Sequence, residues 1–155
     1  MQKIKIMLDE GAYMPTRAHE FDAGLDLYAP KTVSIPGSKY SAAPYNHGYG
    51  KVYVGSRTVD TGVHVQIPEG FVGFIKSKSG LMANYGLLTD GTIDSGYTGS
   101  IRVTLFNTTC KDYVIQAGEK IAQLVIQPCV LPPLELVDEL EETERGAGGF
   151  GSTGK

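Results

Sequence analysis

From Thr58 to Ile67 the chain alternates: Val63, Val65 and Ile67 fall on one face, His64 and Gln66 on the other, and Pro68-Glu69-Gly70 stops the run. A period of two marks a half-buried strand, and the Pro/Gly punctuation limits its length. The same pattern recurs along the chain. Lys3 to Leu8 puts Ile4, Ile6 and Leu8 on one face, and Val33 and Ile35 end at Pro36-Gly37. Val52 to Val54, Phe71 to Lys76, Leu87-Leu88, Ile101 to Phe106, Tyr113 to Gln116, Ile121 to Gln127 and Leu134 to Val137 read alike. Short strands this close together predict an all-β chain folded as a jelly-roll-like β-barrel. Only Ser79 to Asn84, running on to Tyr85-Gly86, reads as a helix, with Ser79 as N-cap and Gly86 as its stop.

At 155 residues, 41% apolar and 20% charged, the chain can bury one ordinary core. A net charge of −3 argues against an electrostatic grip on polymeric nucleic acid, yet leaves room for a small phosphorylated ligand. Cys110 and Cys129 lack metal-ligand spacing and read as reduced thiols of a cytoplasmic protein. The charged start and the absence of a long apolar run predict no membrane partner.

Five places carry polar chemistry. In Ala23-Gly-Leu-Asp-Leu27, Asp26 is either a turn residue bonded to its own backbone or a carboxylate aimed at a metal or base. Lys76-Ser-Lys-Ser-Gly-Leu81 joins a strand end to a helix start; it reads as a capped helix with solvated lysines or as a phosphate-binding turn. Gly91-Thr-Ile-Asp-Ser-Gly-Tyr-Thr-Gly99 is a Gly-rich hairpin with one carboxylate, Asp94, and one ring, Tyr97. It is either a solvated turn or a cradle of backbone donors and acceptors for a flat polar ligand. Gln123, within Ala117-Gly-Glu-Lys-Ile-Ala-Gln-Leu124, is an amide in an apolar run and needs partners. The terminal Arg145-Gly-Ala-Gly-Gly-Phe-Gly-Ser-Thr-Gly154 contains a literal GxGxxG, but only four residues follow Gly151, so no dinucleotide-binding helix can open there. Its Arg, Phe and Ser-Thr pair suit a mobile arm that orders over a ligand.

Taken together, these five segments resemble the trimeric dUTPases in their order, from Ala23-Gly-Leu-Asp-Leu27 through Ser79-Gly80, Gly91 to Gly99 and Gly118-Glu-Lys-Ile-Ala-Gln123 to Arg145 to Gly154. Each motif alone is weak; five in sequence are specific. The resemblance implies a homotrimer with an exchanged C-terminal strand, a mobile arm and active sites at subunit interfaces. It also implies hydrolysis of dUTP to dUMP and pyrophosphate with Mg²⁺. Asp94 would be the general base for water attack on the α-phosphorus, and Tyr97 would pack on the deoxyribose and exclude a 2′-hydroxyl. The backbone near Thr92, Ile93 and Arg102 would read the uracil edge, and Ser79 and Gly80 would bind phosphate. Asp26 (through water) and Gln123 would support the Mg²⁺–triphosphate. Phe150 would stack on uracil, with Arg145, Gly151, Ser152 and Thr153 around the distal phosphates.

Two features depart from that pattern. Lys78 stands where the family usually has Arg, keeping the charge but losing the bidentate fork, so it is either a structural cation or a point-charge contact to phosphate. Lys78 is also 52 positions from Asp26, with the excess in a Tyr-rich insertion at about 37–57 that holds Tyr40, Tyr45, Tyr49 and Tyr53. The insertion is expected to be a longer hairpin or loop, with a protein-recognition surface as the alternative. The layout is therefore a barrel over 1–137 and, over 138–155, an acidic connector followed by the arm. Two rivals remain at this point. A dCTP deaminase of the same fold would need a glutamate base, whereas Asp94 is the lone acid of the hairpin turn. A protein-binding module would keep the nucleotide site only as a switch.

Overall fold

The alternating runs are laid down as strands in a computed structural model, which describes residues 3–41 and 51–148. One four-stranded sheet is built from β1 (Lys5–Leu8), β6 (Gly55–Gln66), β10 (Ser100–Asn107) and β8 (Leu87–Leu88), hydrogen-bonded in that order. A second contains β2 (Gly24–Tyr28), β12 (Lys120–Pro128), β7 (Phe71–Ser77) and β9 (Asp90–Ile93), again in that order. Two small antiparallel pairs complete the set: β3 (Val33–Ile35) with β11 (Tyr113–Ile115), and β4 (Lys39–Ser41) with β5 (Lys51–Tyr53). The chain is all-β as expected, and among the described residues its ladders form two four-stranded sheets and two small antiparallel pairs.

Both four-stranded sheets contribute their inner rows to a single apolar cluster. Val63 and Val65 of β6 and Ile101, Val103 and Leu105 of β10 meet Leu25 and Leu27 of β2, Ile75 of β7 and Leu124 of β12 there. Each such side chain contributes on the order of 1.5–3 kcal/mol when fully buried. Because one face must stay inside, this burial fixes strand register. Strand β10 shows it plainly, with Ile101, Val103 and Leu105 buried while Arg102 and Phe106 point out.

Between β6 and β10 the register shifts. Ser100 pairs with His64 but Arg102 pairs with Asp60, so β6 carries extra residues around Gly62. Gly62 has φ 66°, a left-handed conformation that favours glycine. Three bonds hold the bulge: Asp60 accepts from the Gly62 amide, the Thr61 hydroxyl donates to the Ile101 carbonyl, and the Gly62 carbonyl accepts from Asp9 N at 2.8 Å.

Helix α1 (Ser79–Tyr85) forms where expected, but its cap differs. Lys78, with φ −76° and ψ 126°, is the N-cap and makes no side-chain cap bond; Ser79 is already helical. The extended backbone that a cap requires continues from β7 into Lys78, one residue short of the serine. Gly86 ends the helix at φ 65°, as the sequence indicates.

Beyond Pro128 the chain leaves the sheets. Leu134 to Val137 joins no ladder among the described residues, and Leu134 and Leu136 are 99% and 100% exposed. Within the Tyr-rich insertion, β4 and β5 form a hairpin with Tyr40 opposite Val52. Tyr45 and Tyr49 lie outside the described residues, as do Phe150, Gly151, Ser152 and Thr153 of the arm.

Candidate active site

Strand β9 ends at Ile93 and hands Asp94 to a turn at Ser95-Gly96, closed by a bond from the Tyr97 amide to the Asp94 carbonyl at 3.0 Å. The Tyr97 ring folds back along the returning limb, and its hydroxyl donates to the Ser100 carbonyl at 2.8 Å. Glycine is required beneath it: a Cβ on Gly99 would lie 2.5 Å from the Tyr97 hydroxyl oxygen. The result is a cleft of about 170 Å³ lined by Thr92, Ile93, Asp94, Tyr97 and Arg102, all five of the residues expected at the hairpin. Behind it, Asp60 receives the Ser100 hydroxyl and, at 3.4 Å, the Arg102 guanidinium. A larger hollow of about 550 Å³, lined in part by Lys3, Lys5, Glu69, Ser95 and Leu131, contains none of the expected site residues. Volume alone does not locate the chemistry.

A second cluster is centred on Asp26. The residue is not in a turn; it sits in β2, 1% exposed, and pairs with Gln123 of β12, which pairs with Lys76 of β7 and through it with Asp90 of β9. These four residues make a polar row across the sheet, on the face opposite Leu25, Leu27, Ile75 and Leu124 of the core. The Asp26 carboxylate receives Lys78 at 2.6 Å, Lys120 at 2.7 Å and the Gln123 amide at 3.2 Å. Gly24 makes room, since a Cβ there would stand 2.9 Å from the Gln123 side chain. Burial pushes the Asp26 carboxyl up, but the bonds from Lys120 and Lys78 outweigh it and hold the group below the usual carboxylate range. Ser79 and Gly80 follow Lys78 on the exposed first turn of α1.

The two clusters do not meet within one chain. Pairing of Gly73 with Ile93 and of Lys76 with Asp90 places Asp94 beyond one end of the β7–β9 ladder and Ser79 beyond the other. At about 3.3 Å per residue, the six steps from Gly73 to Ser79 span roughly 20 Å. Arg145 makes a local bond, its Nε donating to the Gly148 carbonyl at 3.0 Å.

Comparison with known proteins settles the family. The dUTPase family model matches residues 51–154. The chain belongs to the dUTPase family. It is 39% identical over 148 residues to the deoxyuridine 5′-triphosphate nucleotidohydrolase of Paramecium bursaria Chlorella virus 1, covering 95% of this chain and 94% of that one. Among solved structures, a variant of the Staphylococcus bacteriophage 80alpha dUTPase with dUpNHpp superposes with TM-score 0.82 at 30% identity, covering all of both chains. A variant dUTPase of S. aureus phage phi11, described with a structural Mg(II) ion, superposes with TM-score 0.74 at 28% identity over 91% of this chain and all of its own.

Three further side chains organise the site without a motif of their own in the sequence. Lys120 stands three residues before Gln123, and its only sequence signal is a positive charge that can pair with Asp26. Asp60 and His64 lie on the polar face of β6, where nothing local distinguishes them from solvated residues.

Proposed function

We propose that this dUTPase-family chain hydrolyses dUTP to dUMP and pyrophosphate, thereby keeping uracil out of DNA. The observation that carries the reading is the hairpin cleft, where one carboxylate, one ring and the backbone of Thr92 and Ile93 converge. A uracil edge would find backbone donors and acceptors there, and the Tyr97 ring would pack against the deoxyribose. The Asp94 carboxylate would orient a water toward the α-phosphorus and take its proton. The lone acid in this turn favours phosphate hydrolysis over deamination.

Ser79, Gly80, Lys78, Gln123 and Asp26 would serve the triphosphate. Because Ser79 lies roughly 20 Å from Asp94 along β7, a complete site needs the hairpin of one subunit and the α1 turn of another. That requirement supports the homotrimer. The exposed leucines of the C-terminal segment fit an exchanged strand, and Arg145, Phe150, Gly151, Ser152 and Thr153 would close the site as the mobile arm. The β4–β5 hairpin would be an appendage to the 1–137 barrel, and the free thiols Cys110 and Cys129 fit a reducing cytoplasm.

The donor set fits magnesium that arrives with the triphosphate rather than a resident ion. Both Asp26 oxygens already face ammonium groups, which leaves room for contact through water, and no cluster of three acidic, His or Cys ligands exists among the described residues. Bound magnesium supplies charge neutralisation at the phosphates.

The test is pyrophosphate release from dUTP, dTTP, dCTP and UTP, with ammonia release from dCTP measured alongside. dUTP should be preferred, and Asp94→Asn should lower kcat by about 10²-fold or more while retaining dUTP binding. Near-normal turnover in Asp94→Asn, or ammonia from dCTP, would overturn the reading.

A further inference from the structure

Two side chains of β6 anchor the returning limb of the Asp94 hairpin: Asp60, at Ser100, and His64, at Thr98. The His64 ring bridges two elements. Its Nδ1 lies 2.8 Å from the Thr98 carbonyl oxygen and its Nε2 lies 3.2 Å from Oδ1 of Asp9, in the turn after β1. Neither partner can donate. A carbonyl has no proton, and a carboxylate at neutral pH has none. A neutral imidazole carries one N–H and satisfies one of these acceptors; the imidazolium satisfies both.

The surroundings favour the charged ring. Asp9 is held in place because its amide donates to the Gly62 carbonyl at 2.8 Å. Asp60 faces the ring from the same strand, its own charge shared with Arg102, and Lys5 of β1 lines the same hollow as His64. The His64 pKa is raised above its ordinary value, first by the bond to the Thr98 carbonyl and then by Asp9 and Asp60, with partial burial opposing. Thr98 in turn follows Tyr97, whose amide and hydroxyl tie Asp94 to Ser100.

We propose that the imidazolium of His64 is a positioning group for dUTP hydrolysis: it clamps Thr98 to Asp9, holds Tyr97 and Asp94 in their cleft, and loses one of its two bonds on deprotonation. The inference rests on the function proposed above. Because the folded-state pKa is raised, the clamp is complete at low pH and opens as pH rises through that value.

The test follows kcat and KM for dUTP between about pH 6 and about pH 9, beside an NMR titration of the His64 ring and of the Tyr97 and Gly99 amides. In the unmodified chain, kcat/KM should fall roughly three- to fivefold, the size of one exposed charged contact, with a midpoint at the His64 titration. Asp9→Asn keeps an acceptor but removes the charge, so both midpoints should move down together. His64→Gln should abolish the limb. A limb that survives His64→Gln, fails to follow His64 in Asp9→Asn, or comes with Tyr97 and Gly99 amides blind to the titration would overturn the clamp. The amide readout needs no turnover, so an inactive chain would sink the proposed function without deciding the clamp.

Discussion

Lys78 places its Nζ 2.6 Å from the Asp26 carboxylate, a residue 52 positions earlier in the chain and 1% exposed. The contact gives a physical reason for a cation at this position apart from any phosphate. Lys120 takes the other oxygen, so a single carboxylate holds two ammonium groups beside the exposed Ser79-Gly80 turn.

Removing Lys78 should therefore act on stability as well as on substrate. Lys78→Ala leaves Asp26 with Lys120 and Gln123, and we expect a loss of about 1–3 kcal/mol in chemical denaturation. The Asp26 carboxyl sits below its ordinary value, so its contribution is present above about pH 4 and is lost as pH falls through the folded value. The acid limb of stability should flatten in Lys78→Ala. If Lys78 also meets phosphate, dUpNHpp binding should weaken more than dUMP binding; equal losses would leave it a scaffold residue.

Gly99→Ala isolates the Tyr97 ring. The added methyl would meet the tyrosine hydroxyl oxygen at 2.5 Å, and the ring must move because the glycine lies in backbone it overlies. We expect kcat/KM for dUTP to fall about tenfold or more, the scale of a misplaced positioning group, with the unfolding midpoint little changed. Selectivity against UTP should fall with it. Retention of both activity and selectivity would show that the ring does not pack on the sugar.

Much of this architecture is legible in the sequence because alternation reports burial directly. β3, β7, β10 and β12 appear within a residue or two of their expected bounds. β2 is hard to read as a strand, because Gly24-Leu-Asp-Leu-Tyr28 is short and holds a single charged position. That acid after a glycine reads equally well as a turn residue, although it is buried in the sheet. Its acid is tolerated only because lysines from 52 and 94 positions away neutralise it, and no local window contains them. The proposed site residues stand in the sequence as motifs. Their division into two clusters is not legible there, since it depends on the β7–β9 register.

The Tyr-rich hairpin can be excised at a defined place. Ser38 donates to the Asn107 carbonyl at 2.5 Å and accepts from the Gly55 amide at 3.2 Å, so the two ends of the insertion already touch. Gly55 approaches so closely that a Cβ there would stand 1.9 Å from the Pro36 carbonyl oxygen, and both ends must be kept. Replacing residues 39–54 by a short Gly-Ser link should leave dUTP hydrolysis within about twofold, since loop length costs little. A dissociated or inactive product in gel filtration and assay would make the hairpin part of the assembly.

The separation of Asp94 from Ser79 gives the sharpest test of the shared site. Ser79 is exposed on α1, so Ser79→Glu should fold normally while its carboxylate repels the triphosphate. Asp94→Asn alters only an exposed turn residue. Each variant alone should be nearly inactive. Unfolded, mixed in equal amounts and refolded, they form trimers in which a site drawing its hairpin from one subunit and its α1 turn from another pairs two intact halves. Random assembly supplies about a quarter of sites that way, so about a quarter of normal activity should return. If both halves of a site came from the same chain, every site would carry one lesion, and no mixture would recover. A variant truncated after Glu144, mixed with Asp94→Asn, asks the same of the arm: recovery requires Phe150 and Asp94 to come from different subunits. Mixed trimers that assemble but stay inactive in both experiments would remove the shared site and leave Asp94 and Ser79, roughly 20 Å apart in one chain, with no common substrate.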